Sequence, residues 1–203
     1  NFFSIYNGYD KKEFDKVKST RPDYFNIVFT GVLSENNNYE IFLKAIKTLD
    51  PIKNNLNIKF NLAGNVEKDI IDSFSNFVKT KSAGYLSHNE AISLMKSSHL
   101  LVNFNYHGTN KPDMISGKLI EYLATGSPII NISHTNSESE SLISLSEDSV
   151  TASQHDLDKI VSYISKRYIN WFTGEFKEKI PNNIDEYSRL NLTKRLASIL
   201  REI

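Results

Sequence analysis

No cysteine occurs in the chain, which removes disulfides, thiolate nucleophiles, iron–sulfur clusters and thiolate zinc sites together. Only five histidines remain for a transition metal, at 88, 99, 107, 134 and 155, and none stands at ligand spacing, so no metal site is expected. Excess charge of one sign is missing too. The 24 Lys and Arg balance 24 Asp and Glu, leaving no long-range field to hold nucleic acid or an anionic surface, and no nucleic-acid partner is expected. Long apolar runs are absent: Leu100-Leu101-Val102 and Ile129-Ile130 fall far short of the ~20 residues that span a bilayer, so no transmembrane segment is expected. The chain starts at Asn1 without an initiator Met, a basic-then-apolar leader or a small-residue cleavage site. A fragment of a longer polypeptide, from a reducing cytoplasmic setting, fits these absences.

What is present is enough for one domain: 203 residues, 39% apolar and 24% charged. Residues 26–33 form a β-branched and aromatic run meeting Gly31, followed by a polar stretch and a segment, 39–49, with Ile41, Phe42, Ala45, Ile46 and Leu49 at helical spacing. The unit recurs. Residues 58–64 are a strand meeting Gly64, and Ile70, Ile71, Phe74, Phe77 and Val78 mark a second helix. Residues 83–86 read as a short strand, with Ser87 as the N-cap of a third helix and Glu90 three residues on. A strand at 99–104, a polar loop at 106–113, a helix at 115–125 and a strand at 129–132 continue the series. Val150 suggests a sixth strand, and 157–167 and 187–203 read as two closing helices, with Tyr163, Tyr168, Trp171 and Phe172 as their packing. Such βα alternation predicts an α/β fold: a doubly wound, mostly parallel, Rossmann-like sheet with helices on both faces. Ligands of such sheets bind outside the carboxyl ends of the strands, which here means the loops after Gly31, Gly64, Leu86, Phe104 and Ile132.

Residues 116–130 are the most informative stretch. Ile115, Leu119, Tyr122 and Leu123 make an inward stripe, Lys118 and Glu121 share another face at i,i+3, and Gly126 with Pro128 ends the helix. The free N–H groups of Ser116 and Gly117 and the helix dipole favour an anion, and Gly117 allows close approach to the backbone. Lys118 would add a point charge for phosphate, and Glu121 the two acceptor oxygens that hold the vicinal hydroxyls of a ribose. The competing reading of Lys118 and Glu121 is a solvated intrahelical pair worth roughly 0.3 kcal/mol. Asp113 stands where an N-cap would.

The run 116–130 resembles the donor-nucleotide helix of the group-1 retaining GT-B glycosyltransferases, whose pattern is Lys-x-x-Glu-Tyr-Leu-Ala-x-Gly-x-Pro followed by an apolar strand. Asn7-Gly8-Tyr9-Asp10, the strand 27–33 with Gly31, and Leu62-Ala63-Gly64 resemble further family signatures in the family's order, so the likeness covers nearly the whole chain. It implies the C-terminal, nucleotide-sugar-binding half of a GT-B enzyme of polysaccharide biosynthesis. Residues 1–22 would be a linker from a missing N-terminal acceptor-binding domain and 23–203 the donor-binding domain with its closing helices. Glu121 then corresponds to the ribose-binding glutamate, and Asp113 to the first acidic position of the Glu-x7-Glu pair, near the donor sugar. Two departures stand out: Asp113 replaces a Glu, and Val32 and Asn36 to Asn38 occupy a region where many members carry an Arg and a Lys for the diphosphate. The diphosphate would lean on Lys118, on the backbone amides of Gly31 and the helix start, or on a further cation.

The implied donor is a nucleoside-diphosphate sugar, with no cofactor. A glycan or lipid-linked saccharide would be the acceptor, and peripheral membrane association of the full enzyme is compatible with that. His107, in the loop after the fourth strand, is a further candidate contact, against plain loop polarity. His99 reads as a strand start and His88 as exposed beside Ser87. The rival readings are a sugar-nucleotide epimerase half, which needs acid and base groups on both halves, and a flavodoxin-like binding module. The latter predicts an acidic cluster or a phosphate loop after the first strand, and Thr30-Gly31-Val32-Leu33 provides neither.

Overall fold

In the computed structural model, which describes residues 3–106, 115 and 117–202, the apolar runs become β1 Phe25–Thr30, β2 Ile58–Ala63, β4 Leu100–Phe104 and β5 Ile129–Ile132, with β3 Lys79–Ser82 and β6 Val150–Ala152 outside them. One sheet results, in the order β3-β2-β1-β4-β5-β6, every neighbour parallel. Strands buried on both sides need apolar residues at successive positions, which is why β1, β4 and β5 are continuous runs.

The helices are α1 Lys11–Lys16, α2 Glu40–Leu49, α3 Lys68–Ser75, α4 His88–Lys96, α5 Gly117–Thr125, α6 Glu138–Ile143, α7 Leu157–Phe172 and α8 Arg189–Glu202, the last preceded by a 3₁₀ turn at Ile184–Tyr187. They divide between two cores. Phe25, Ile27 and Phe29 of β1, with Phe60 and Phe104, meet Phe42 of α2, Phe74 of α3 and Ile160 and Ile164 of α7. Val28, Leu101 and Ile129, on the other face, meet Phe14, Ile92, Met95, Leu119 and Leu142 from α1, α4, α5 and α6. Each fully buried Phe or Leu contributes about 1.5–3 kcal/mol through its lost hydration, so the two-sided cover is what holds the sheet. The expected doubly wound sheet is the observed one.

Three boundaries differ from the sequence expectation. The third strand is Lys79–Ser82, not 83–86, which is the loop beyond it. As the outer strand of the sheet it keeps three of its four residues exposed, so lysines suit it and no apolar pattern marks it. Helix α7 runs five residues past 167, because Tyr168 and Trp171 continue its inward face onto Phe25. The final helix begins at Arg189 rather than 187, after the 3₁₀ turn.

The second face also carries a row of buried polar side chains. Asn103, Asn131 and Thr151 are cross-strand neighbours on β4, β5 and β6. Asn103 Nδ2 donates to Asn131 Oδ1 at 2.7 Å, and Asn131 Nδ2 to Thr151 Oγ1 at 3.2 Å and to Ser139 Oγ of α6 at 3.1 Å.

Candidate functional site

The strand order reverses between β1 and β4, so the crevice outside their carboxyl ends is where an open α/β sheet takes a ligand. β1 leaves the sheet through Gly31 at φ +123° and β2 through Gly64 at φ +106°, conformations that favour glycine. A Cβ on Gly64 would stand 2.2 Å from the Gly31 carbonyl oxygen, so the two loops can lie this close only without a side chain there. The Gly31 N–H donates to Ala63 O at 2.8 Å, and the Gly64 N–H to Gly84 O at 2.7 Å. This corrects one expectation: the Gly31 amide is committed to the sheet, and what Gly31 offers a ligand is the space its missing side chain leaves.

That space is next to Lys118. The side chain, in the first turn of α5, folds back so that its Nζ lies 4.1 Å from the centroid of the Phe29 ring and 3.3 Å from where a Cβ on Gly31 would be. Desolvation pushes the ammonium down to about 7. No carboxylate neutralises it among the described residues. The intrahelical pair that spacing allowed is therefore not made, and Lys118 is held in the crevice without a counter-charge among the described residues.

Tyr122, on the buried side of α5, fixes the helix to β1. Its hydroxyl accepts from the Thr30 N–H at 2.8 Å and lies 3.2 Å from Thr30 Oγ1, and burial pushes the phenol up to about 12. Lys118 and Gly31 are thus set against each other by a hydrogen bond between their neighbours.

Glu121 lies one turn into α5 and looks the other way, toward α1, α4 and the start of α8. Burial raises its carboxyl above the usual range, His88 and Arg189 pull it down, and Glu13 pushes it up again. His88 Nε2 is 3.9 Å from Glu121 Oε1 and 3.1 Å from Glu13 Oε2. His88 is exposed beside Ser87, as expected, and its contacts with Glu13 and Glu121 could not be found by spacing, since 13, 88 and 121 meet only through the fold.

Asn7 is a second residue whose place only the fold shows. A Cβ on Gly117, the first residue of α5, would lie 3.7 Å from Asn7 Cβ. The stretch around it is fastened down: the Tyr9 N–H donates to Tyr187 O at 3.2 Å, the Arg189 N–H to Tyr9 O at 2.9 Å, and Tyr9 is buried. Across the crevice, Asn38 holds the exit of β4, its N–H donating to Asn105 O at 2.8 Å and its Nδ2 to Tyr106 O at 3.2 Å. Asp113, Ser116 and His107 lie outside the described residues. His99, just ahead of β4, is buried in the core, where Nδ1 accepts from the Asn26 N–H at 3.0 Å. A second crevice of about 630 Å³, lined by Tyr9, Phe14, Lys96, Thr125, Ile180 and Asp185, opens at the far end of α5, away from Gly31 and Lys118.

A Rossmann-like domain, with a lysine unneutralised among the described residues and a partly buried glutamate on the helix after the switch point, is the class this geometry defines. The model of a family described as glycosyl transferase-like matches residues 42–168, well over half the chain, and the chain belongs to that family. No curated protein matches it in sequence. Among solved structures, it is similar to Anabaena Alr3699/HepE in complex with UDP-glucose, with TM-score 0.70 and 14% identity over 98% of this chain and 57% of that one. It is also similar to the pneumococcal O-GlcNAc transferase GtfA in complex with UDP and GlcNAc, with TM-score 0.62 and 13% identity over 98% of this chain and 38% of that one. The lipopolysaccharide outer core galactosyltransferase WaaB, in its apo form, gives TM-score 0.64 and 13% identity over 99% of this chain and 56% of that one. The fold is that of a GT-B half domain, and the chain spans little more than half the length of the longest-covered of these structures. Among the described residues no helix is long and apolar enough to cross a membrane.

Proposed function

We propose that this chain is the donor-binding half of a glycosyltransferase that takes a nucleoside-diphosphate sugar and delivers the sugar to a glycan or lipid-linked saccharide acceptor held by a domain preceding Asn1. The observation that carries the reading is Lys118: a cation with no counter-charge among the described residues, beside the side-chain-free Gly31, at the switch point of the sheet. An apolar crevice wall makes such a charge costly unless an anion arrives to meet it, and a diphosphate at the switch point would be that anion.

Glu121 holds the ribose hydroxyls, Lys118, Ser116 and Gly117 take the diphosphate, and Gly31 leaves room for it. Asp113 contacts the donor sugar, and His107 is a further contact to the donor. Lys118 then neutralises charge that grows on the leaving diphosphate as the sugar–phosphate bond breaks, so the domain acts by placement and electrostatics. No cofactor or divalent metal is needed for donor binding in this reading.

The deciding experiment is a calorimetric titration of uridine diphosphate into the chain and into Glu121→Ala, which is expected to lose about 1.5–3 kcal/mol of binding, the range for hydrogen bonds to a charged group. Unchanged affinity in a folded Glu121→Ala removes the ribose assignment.

A further inference from the structure

Three helices each send one group to a single point outside the sheet: Glu13 from the first turn of α1, His88 from the first residue of α4, and Glu121 from α5. Two of the anchors are rigid. Asp10 caps α1 by accepting from the Glu13 N–H at 3.1 Å. Ser87 and Glu90 close a capping box on α4, with the Ser87 N–H donating to Glu90 Oε2 at 2.8 Å.

The spacing within the trio is unequal, and the inequality is informative. At 3.1 Å, the Glu13 carboxylate is the nearer partner of His88 Nε2, an ion-pair contact between α1 and α4 whenever the imidazole carries its proton. At 3.9 Å, Glu121 is too far for a hydrogen bond from the same nitrogen, yet near enough to feel its positive edge. Among the described residues no donor hydrogen-bonds either oxygen of Glu121, while His88 draws the carboxylate toward one side. A group that must accept from two adjacent hydroxyls needs this combination of fixed direction and free lone pairs. Arg189 acts on Glu121 in the same sense as His88, and Glu13 opposes them.

We propose that His88, set by Glu13, is a positioning residue that aims Glu121 at the ribose diol, and that this relay gives the site its preference for a ribonucleotide over a 2′-deoxyribonucleotide. The inference rests on the ribose reading of Glu121 above and extends it to two residues outside the α5 motif.

The test is a titration of the chain with uridine diphosphate and with 2′-deoxyuridine diphosphate, repeated on His88→Leu, His88→Gln and Glu13→Ala. His88→Leu is expected to weaken uridine diphosphate about threefold to tenfold, the value of one net hydrogen bond, and to leave the deoxy ligand within about twofold. His88→Gln, whose amide still donates to Glu13, retains the discrimination of the parent. Glu13→Ala loses part of it, and decides the matter should His88→Leu fail to fold. Equal losses for both ligands, or an unchanged ratio in both His88→Leu and Glu13→Ala, overturns the relay while leaving Glu121 in place. A Glu121→Ala variant that binds as the parent does, or a parent that binds no uridine diphosphate, removes the underlying ribose reading, and the relay with it.

Discussion

Lys118 rests its ammonium against the ring of Phe29, 4.1 Å from the centroid, where β1 leaves the sheet. The aromatic face offsets part of the lost hydration, and the remainder depresses the amine to about 7.

Because burial brings Lys118 to about 7, binding of a diphosphate should take up a proton, and affinity should fall as pH rises above about 7. Titrations of the diphosphate in buffers of different ionisation heat read the uptake directly. Lys118→Met should abolish it and weaken the diphosphate more than the bare nucleoside. An equal loss for both ligands contradicts a phosphate role.

The same substitution should make the unliganded chain more stable. The unfolded lysine titrates near 10.4, above its folded value, so the unfolded chain binds more protons between about 7 and 10.4 and the penalty of Lys118 is fully present below that window. A Lys118→Met variant melting a few degrees higher, most clearly at pH 7 and below, is the expected result, at roughly 2–4 °C per kcal/mol for a chain of this size. A lower melting temperature there would show that the ammonium is better solvated than its position suggests.

Gly64→Ala should destabilise by about 2–4 kcal/mol, since it combines a positive φ with a Cβ 2.2 Å from the Gly31 carbonyl. Gly84→Ala is the control: its φ is also positive, at +65°, but a Cβ there meets nothing within 4 Å, so only the backbone term applies. Chemical unfolding of the pair separates strain from collision. Similar losses in both would mean the loops at Gly31 and Gly64 part easily.

His99 sets the acid limit of the fold. Burial, with a smaller effect from Arg21, pushes its imidazole down to about 4. The unfolded chain then binds the extra proton between about 6.5 and 4, so stability should fall as pH drops through that window. His99→Gln, which can still accept from the Asn26 N–H, should flatten this limb of the stability curve. A limb that keeps its slope assigns acid unfolding to other groups.

Donor binding should be indifferent to chelator. Repeating the uridine diphosphate titration in EDTA and then in excess Mg²⁺ should return the same affinity, and a collapse in EDTA would turn attention to Asp113 and Asp10 as metal ligands.

The parts of the fold that were legible in the sequence are those buried on two sides. β1, β4, β5 and the inward stripe of α5 carry their environment in every residue, and the helix–strand alternation around them determines a parallel sheet. β3 was misplaced because an outer strand faces water and can be written Lys-Thr-Lys-Ser, whereas the apolar look of Ala83 and Leu86 belongs to a loop. In the candidate site, Lys118 and Glu121 were readable as a motif, but their divergence was not. Spacing of i,i+3 says that two side chains can meet, and only the neighbours, Gly31 and Phe29 for one and His88 and Glu13 for the other, decide that they part. The commitment of the Gly31 amide to Ala63 is likewise a property of strand pairing, invisible in the loop itself.

The polar row Asn103, Asn131 and Thr151 has a consequence for how the sheet assembles. Valines and isoleucines facing a helix are nearly interchangeable, so an apolar strand can slide by two residues and still hide its side chains. An asparagine that slides loses its partners in a place where no water replaces them. Among the described residues Asn103 even leaves its own Oδ1 without a partner, so the row is no device for maximum stability. It works as an index mark: β4, β5 and β6 lock at one alignment, and the carboxyl end of β4 meets β1 at the same height each time the chain folds.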